Sequence, residues 1–188
     1  CALHGFDRLD RTAGANFLIY GAGTMGLIMA QLARYMGAAA VDLVELNPSR
    51  IAAAKELGFE RSSSDADDFE HPRGWDVVID CTGAPSAIED GVRRVIPGGE
   101  FLVFGMAGMD ETVELNPYWI FKKELTIKGS MAVLRSYARA GALFAAGVLD
   151  AEFMITDRLP LASFPDALHQ LRAGVGRKLQ VVPGMEVP

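Results

Sequence analysis

The sequence predicts an α/β fold, a doubly wound parallel sheet with helices on both faces, followed by a C-terminal segment of different character. Three observations carry this. Short apolar runs at 16–20, 41–45, 76–80, 100–104 and 125–130 alternate with capped or amphipathic helical segments. The runs are nearly continuous, as strands buried on both faces must be. A glycine-rich turn, Gly21-Ala22-Gly23-Thr24-Met25-Gly26, follows the first run directly and opens the first long helix.

Taken in order, residues 1–9 have the pattern of a helix end, and 10–15 form a loop. The run 16–20 ends in Gly21 and is a buried strand. From Thr24 to Met36, the residues Met25, Ile28, Met29, Leu32 and Met36 share one stripe, with Gly37 as the stop. After the strand 41–45, Asn47 and Pro48 supply a helix N-cap and a first-turn proline, and Gly58 ends that helix. The polar stretch 61–74 is a loop or short helix. The strand 76–80 leads into a helix over 85–95, and Pro97-Gly98-Gly99 turns into the strand beginning at Glu100. A helix over 137–147, a capping-box start at Ser163-Phe164-Pro165-Asp166 and a final strand over 178–182 complete the chain. The expected division is a first domain over 1–133 and a second segment over 134–188.

Composition narrows the function classes. The 188 residues carry a net charge of −6, which argues against nucleic acid and anionic membranes as partners. No apolar run reaches the length of a bilayer span. Of the two cysteines, Cys1 and Cys81, the second falls in a predicted buried strand, so neither is expected to be disulfide-bonded, which points to a reducing cytoplasm. The chain begins without Met and in the middle of a helical pattern, so it is expected to be a piece of a longer protein. His4, His71 and His169 lack metal-site spacing, and no G-x-S-x-G or P-loop lysine is present; neither a metal ligand nor a catalytic group is assigned.

The glycine turn points to a dinucleotide. Gly21 serves the tight turn, Gly23 lets backbone approach a pyrophosphate, and Gly26 permits close helix–strand packing. The amides of Thr24 and Met25 open a helix N-terminus, which favours an anion. Glu45 ends the second strand about twenty residues on, where a carboxylate accepts from both adenosine ribose hydroxyls and repels a 2′-phosphate. That selects NAD over NADP. Arg50, in the next helix, is expected to stack on adenine; attraction of a 2′-phosphate is the alternative. Ligands of such sheets sit at the carboxyl ends of the strands, which adds Thr82 and Gly83 on the adenosine side and Phe104, Gly105 and Met106 on the nicotinamide side.

Cys1-Ala2-Leu3-His4-Gly5, the glycine turn, Asn47-Pro48-Ser49-Arg50 with Ala54-Lys55-Glu56-Leu57-Gly58, Asp80-Cys81-Thr82-Gly83 and Pro97-Gly98-Gly99 with Phe104-Gly105 occur together. This set resembles the zinc-type medium-chain dehydrogenase/reductase family, above all its polyol, threonine and alcohol dehydrogenase branch. The resemblance covers only the Rossmann half and the closing segment. It implies that a GroES-like catalytic domain, carrying the zinc, lies upstream, and that residues 134–188 belong to that domain's side. It also implies hydride transfer between an alcohol or polyol and NAD, His4 near the nicotinamide, and a homodimer or homotetramer joined through residues 125–130. The family's basic residue on the closing strand falls near Gln180, where Arg177 or Lys178 could substitute.

Three other functions compete. A zinc-independent quinone or enoyl reductase of the same superfamily is disfavoured by Glu45, since those mostly use NADPH. An S-adenosylmethionine methyltransferase shares the glycine turn and the acid, but Gly26 and the strand 125–130 count against it. A non-catalytic dinucleotide-binding module fits a chain with no acid–base constellation.

Overall fold

Strand β1 (Asn16–Tyr20) is the strand from which the sheet grows, because Phe17, Leu18 and Ile19 are all fully buried. A strand with no solvated face needs neighbours on both edges and helices on both sides. The computed structural model describes residues 1–185. On one side β1 pairs with β2 (Ala40–Val44), Phe17 opposite Val41; on the other it pairs with β4 (Trp75–Asp80), Phe17 opposite Val77. Beyond β2 lies the two-residue β3 (Ser62–Ser63); beyond β4 lie β5 (Val95–Val103) and β6 (Thr126–Gly129). The order is β3-β2-β1-β4-β5-β6, and every pairing is parallel.

Four helices connect the strands. The chain enters through α1 (Ala2–Phe6), whose Phe6 ring stacks on Phe17 at 6.0 Å. The helix α2 (Thr24–Tyr35) buries Leu27, Met29 and Leu32 and stops where Gly37 takes φ +86°. Asn47 caps α3 (Pro48–Glu56), accepting from the Ser49 amide, and α4 (Pro85–Arg94) carries β4 over to β5. In α5 (Pro117–Lys123), Asn116 accepts from the Tyr118 amide.

Several elements differ from the sequence reading. The polar stretch 61–74 contains β3 and a 3-10 turn, Ala66–Asp68, held by the Asp65 side chain at the Asp67 amide. Strand β5 starts at Val95 rather than Glu100, since Val95 already pairs with Trp75 before the Pro97-Gly98-Gly99 irregularity. Neither α5 nor the elements between 151 and 160 were foreseen.

The chain divides into two compact units, Cys1–Leu149 and Asp150–Pro188, later than the expected boundary at 133/134. The reason is α6 (Tyr137–Ala145), which stays with the first unit: Arg139 makes a two-pronged ion pair with Asp7 at 2.8 and 2.9 Å. The second unit contains α7 (Ala151–Met154), β7 (Ile155–Pro160), α8 (Phe164–Arg172) and β8 (Lys178–Val182), with β7 and β8 paired in parallel. The capping box expected at Ser163 is not formed. Ser163 ends a 3-10 turn, Leu161–Ser163, and its side chain makes no cap bond. Residues 186–188, which the sequence assigns to the closing segment, lie outside the described residues.

Candidate functional site

The sheet reverses its winding between β1 and β4, and there the connections that leave the carboxyl ends of the two neighbouring strands part to leave a crevice. The chain's glycine turn opens at that point. Gly21 takes φ +94° and donates from its amide to Val44 O at 2.7 Å, tying the turn to β2. Gly26 is forced by packing: a Cβ there would lie 1.7 Å from Gly21 O. Gly23 is different. A Cβ on it would meet nothing closer than Arg50 Nη1 at 3.9 Å, so the space beside it is open to a ligand. The α2 N-terminus carries no side-chain cap, as an anion site requires.

Glu45 sits one residue beyond β2 with its side chain 10% exposed. Its Oε2 accepts from the Ala22 amide and its Oε1 from the Asn47 amide, both at 2.9 Å. The carboxylate thus joins the glycine turn to the start of α3. Arg50 reaches to 3.7 Å of Glu45 Oε2.

A cleft of about 600 Å³ runs from this point. Among its walls are Gly21, Gly23, Glu45, Arg50 and Thr82, five of the residues chosen from sequence. Thr24, Met25 and Gly26 continue from the turn into α2 and do not line it. The remaining four form a second construction. Asp80, fully buried at the end of β4, accepts from the Thr82 amide at 2.8 Å, the Thr82 hydroxyl at 2.6 Å and the Gly83 amide at 3.0 Å. A Cβ on Gly105 would fall 2.2 Å from the Gly83 nitrogen, and one on Gly83 would fall 2.4 Å from Met106 O. The close approach at Gly105 is therefore to the loop after β4. Phe104 packs on Gly5 of α1, whose Cβ position is 3.0 Å from the Phe104 ring. Met106 is 91% exposed.

Sequence reasoning missed the far end of the cleft. Tyr20, Asp65, Asp67, Asp90 and Arg94 all line it. Tyr20 donates to Asp90 Oδ2 at 2.5 Å, and Arg94 bonds to Asp90 at 2.7 Å and to Asp67 at 2.6 Å. Burial, reinforced by the Asp90 carboxylate, holds the Tyr20 phenol far above the ordinary range, so it remains a donor. Burial likewise pushes the Cys81 thiol up, with Asp80 adding to it, which disfavours the thiolate. Among the described residues, no three His, Cys, Asp or Glu side chains stand together as a metal site, and no helix is long and apolar enough to cross a membrane. Arg177 is held within the second unit, 3.9 Å from the Phe153 ring, with its Nε donating to Phe153 O at 2.8 Å.

A parallel sheet wound in this order, with its glycine turn at the reversal, places the chain in the Rossmann class of dinucleotide-binding units. Residues 24–146 match the profile of the family described as zinc-binding dehydrogenase, and the chain belongs to that family. It is 29% identical over 97% of its length to D-arabinitol dehydrogenase 1 of Uromyces fabae, covering 56% of that protein. It is 32% identical over 78% of its length to D-altritol 5-dehydrogenase of Agrobacterium fabrum, covering 44%. A crystal structure from Sinorhizobium meliloti, described as that of a zinc-binding dehydrogenase bound to NADP, superposes with a TM-score of 0.89 at 31% identity. The overlap takes in 97% of this chain and 56% of that one. The chain therefore spans about half the length of the curated relatives it matches.

Proposed function

We propose that this chain is the NAD(H)-binding half of a zinc-dependent alcohol or polyol dehydrogenase. The observation that carries the reading is Glu45, fixed by two backbone amides at the mouth of the cleft. An ionised carboxylate has about four acceptor positions, so one on each oxygen remains for a ribose hydroxyl. The glycine turn holds the pyrophosphate, and Thr82 with Gly83 borders the adenosine. Phe104, Gly105 and Met106 mark the nicotinamide end. When bound, NAD would supply the hydride acceptor for an alcohol carbon, and this chain's part would be to place the nicotinamide. Zinc and its ligands belong to the catalytic domain upstream of residue 1, and residues 134–188 belong to that domain's side. The substrate is a small alcohol or polyol, as the names of the relatives imply. The location proposed is the cytoplasm, a compartment in which unpaired cysteines such as Cys1 and Cys81 persist.

One observation favours NADPH instead: Arg50 stands 37% exposed beside Glu45, and a 2′-phosphate would attract it. A titration decides. The chain is expected to bind NADH more tightly than NADPH, to ignore S-adenosylmethionine, and to oxidise no alcohol with or without added zinc. Tighter NADPH binding would give the cofactor choice to Arg50. Zinc-dependent turnover by residues 1–188 would overturn the division of labour.

The assembly proposed is a homodimer, or a tetramer of such dimers, joined through β6. It is an edge strand with unpaired backbone groups on one side, and a two-fold axis lets such an edge pair with its own copy.

A further inference from the structure

We infer that Arg94 is a positioning residue for the adenosine end of the dinucleotide, acting by tying together the two walls between which the base lies. The inference rests on the cofactor reading above. With the pyrophosphate at the glycine turn and the ribose at Glu45, the length of cleft remaining is bounded by the Ala66–Asp68 turn on one side and α4 on the other. These walls come from different parts of the chain: one follows β3, the other follows β4. Arg94 joins them. Its Nε donates to Asp90 on α4 at 2.7 Å, and its Nη1 donates to Asp67 on the turn at 2.6 Å. Asp65, beside that turn, is 3.9 Å from Nη2.

The guanidinium is 19% exposed although two of its carboxylate partners are largely solvated, Asp67 at 79% and Asp65 at 63%. It is thus the fixed member of the group, and the exposed turn is what it restrains. Tyr20 holds Asp90 from behind at 2.5 Å, so the anchor is itself anchored to β1 immediately before the glycine turn. On its other side Arg94 borders a second cavity of about 600 Å³, lined by Phe69, His71 and Trp75. Arg94, Ala66 and Asp67 line both spaces and form the partition between them. Without the tie, the turn keeps Ala66 in the core and the Ser63–Asp68 bond, but its Asp67 side loses the link to α4, and the base end loses its set width.

The test uses the intact chain and two dinucleotides, NAD⁺ and its 1,N⁶-etheno derivative, which carries an enlarged base. The parent is expected to prefer NAD⁺. In Arg94→Met, NAD⁺ affinity should fall about tenfold, the scale of one lost charge-assisted bond. The preference over the etheno compound should shrink toward one, and Arg94→Lys should restore part of it. Asp67→Ala removes only the exposed arm and should move both quantities in the same direction, so it decides the matter if Arg94→Met does not fold. An unchanged ratio of affinities, including an equal loss for both ligands, overturns the role of Arg94 and leaves the cofactor reading standing. A parent that binds neither dinucleotide overturns both.

Discussion

At the scale of single residues, two glycines of the turn separate folding from binding. Gly26→Ala drives a methyl to 1.7 Å of the Gly21 carbonyl, and a backbone atom cannot swing away as a side chain can. The expected cost is about 1–3 kcal/mol or more, read as a lower melting temperature. Gly23→Ala meets nothing within 3.9 Å, so its melting temperature should hold while NADH binding is lost to the methyl in the ligand's space. Equal melting temperatures for the two variants would show that the turn relaxes around Gly26. Glu45→Gln removes the charge and leaves one acceptor oxygen where two backbone amides now bond. NADH affinity should fall by roughly 1.5–3 kcal/mol, the range for hydrogen bonds to charged groups, and NADPH affinity by less. An unchanged NADH-to-NADPH ratio would show that Glu45 does not face the ribose. These residues were legible because turn chemistry and strand ends are local. The Tyr20–Asp90–Arg94–Asp67 chain was not, since an acid or arginine in sequence does not reveal a partner 27 or 70 residues away.

At the scale of elements, β6 decides whether the sheet ends or continues. The Ser130 amide donates to Val103 O at 3.1 Å, so the pleat turns residue 130 toward β5. Alternation then turns Ile127, three residues earlier, outward, and its amide faces the free edge. Proline is tolerated in a strand only where its missing N–H is on such an edge. Ile127→Pro should therefore keep the fold and abolish a dimer joined through this strand. Light scattering on parent and variant checks it; a parent monomeric at high concentration, or a variant still dimeric, rules the pairing out. The long buried strands and the helices α2, α3 and α4 were readable because their signals are periodic or punctuated by glycine, proline or, in α3, the Asn47 cap. Strand β3 was not, since two serines carry no period. The helix α5 began with the same Asn-Pro signal as α3, at Asn116-Pro117, but buries no residue and so shows no apolar stripe to extend it. Strand β7 was hidden because its sequence, Ile-Thr-Asp-Arg-Leu-Pro, is as polar as a loop and is held chiefly by β8 far along the chain.

At the scale of the whole molecule, the two units differ in what the proposed site asks of them. Every residue lining the cleft lies between Tyr20 and Arg94, and all six strands of the large sheet lie before Leu149. The core that supports the cleft, Phe17, Leu18, Ile19, Val77, Val78, Ile79, Phe101 and Leu102 among it, belongs to the same unit. In contrast, the described part of the second unit buries few residues, and Phe164, Leu168 and Leu171 of α8 are all exposed. The two units divide at Leu149 and not at the 133/134 boundary drawn from the resemblance, and the Arg139–Asp7 pair that retains α6 spans 132 residues. A chain ending at Leu149 is therefore expected to unfold cooperatively and to bind NADH within about threefold of the full chain, a difference under 1 kcal/mol. A chain ending at Ala132 or Val133 should be less stable, since it leaves Asp7 without Arg139; an exposed pair of this kind is worth at most about 1 kcal/mol, so the difference should appear as a modest drop in melting temperature with binding retained. If truncation at Leu149 abolishes NADH binding while circular dichroism shows the fold intact, then the segment from Asp150 onward contributes directly to the cofactor site, and the first unit is not the whole of it.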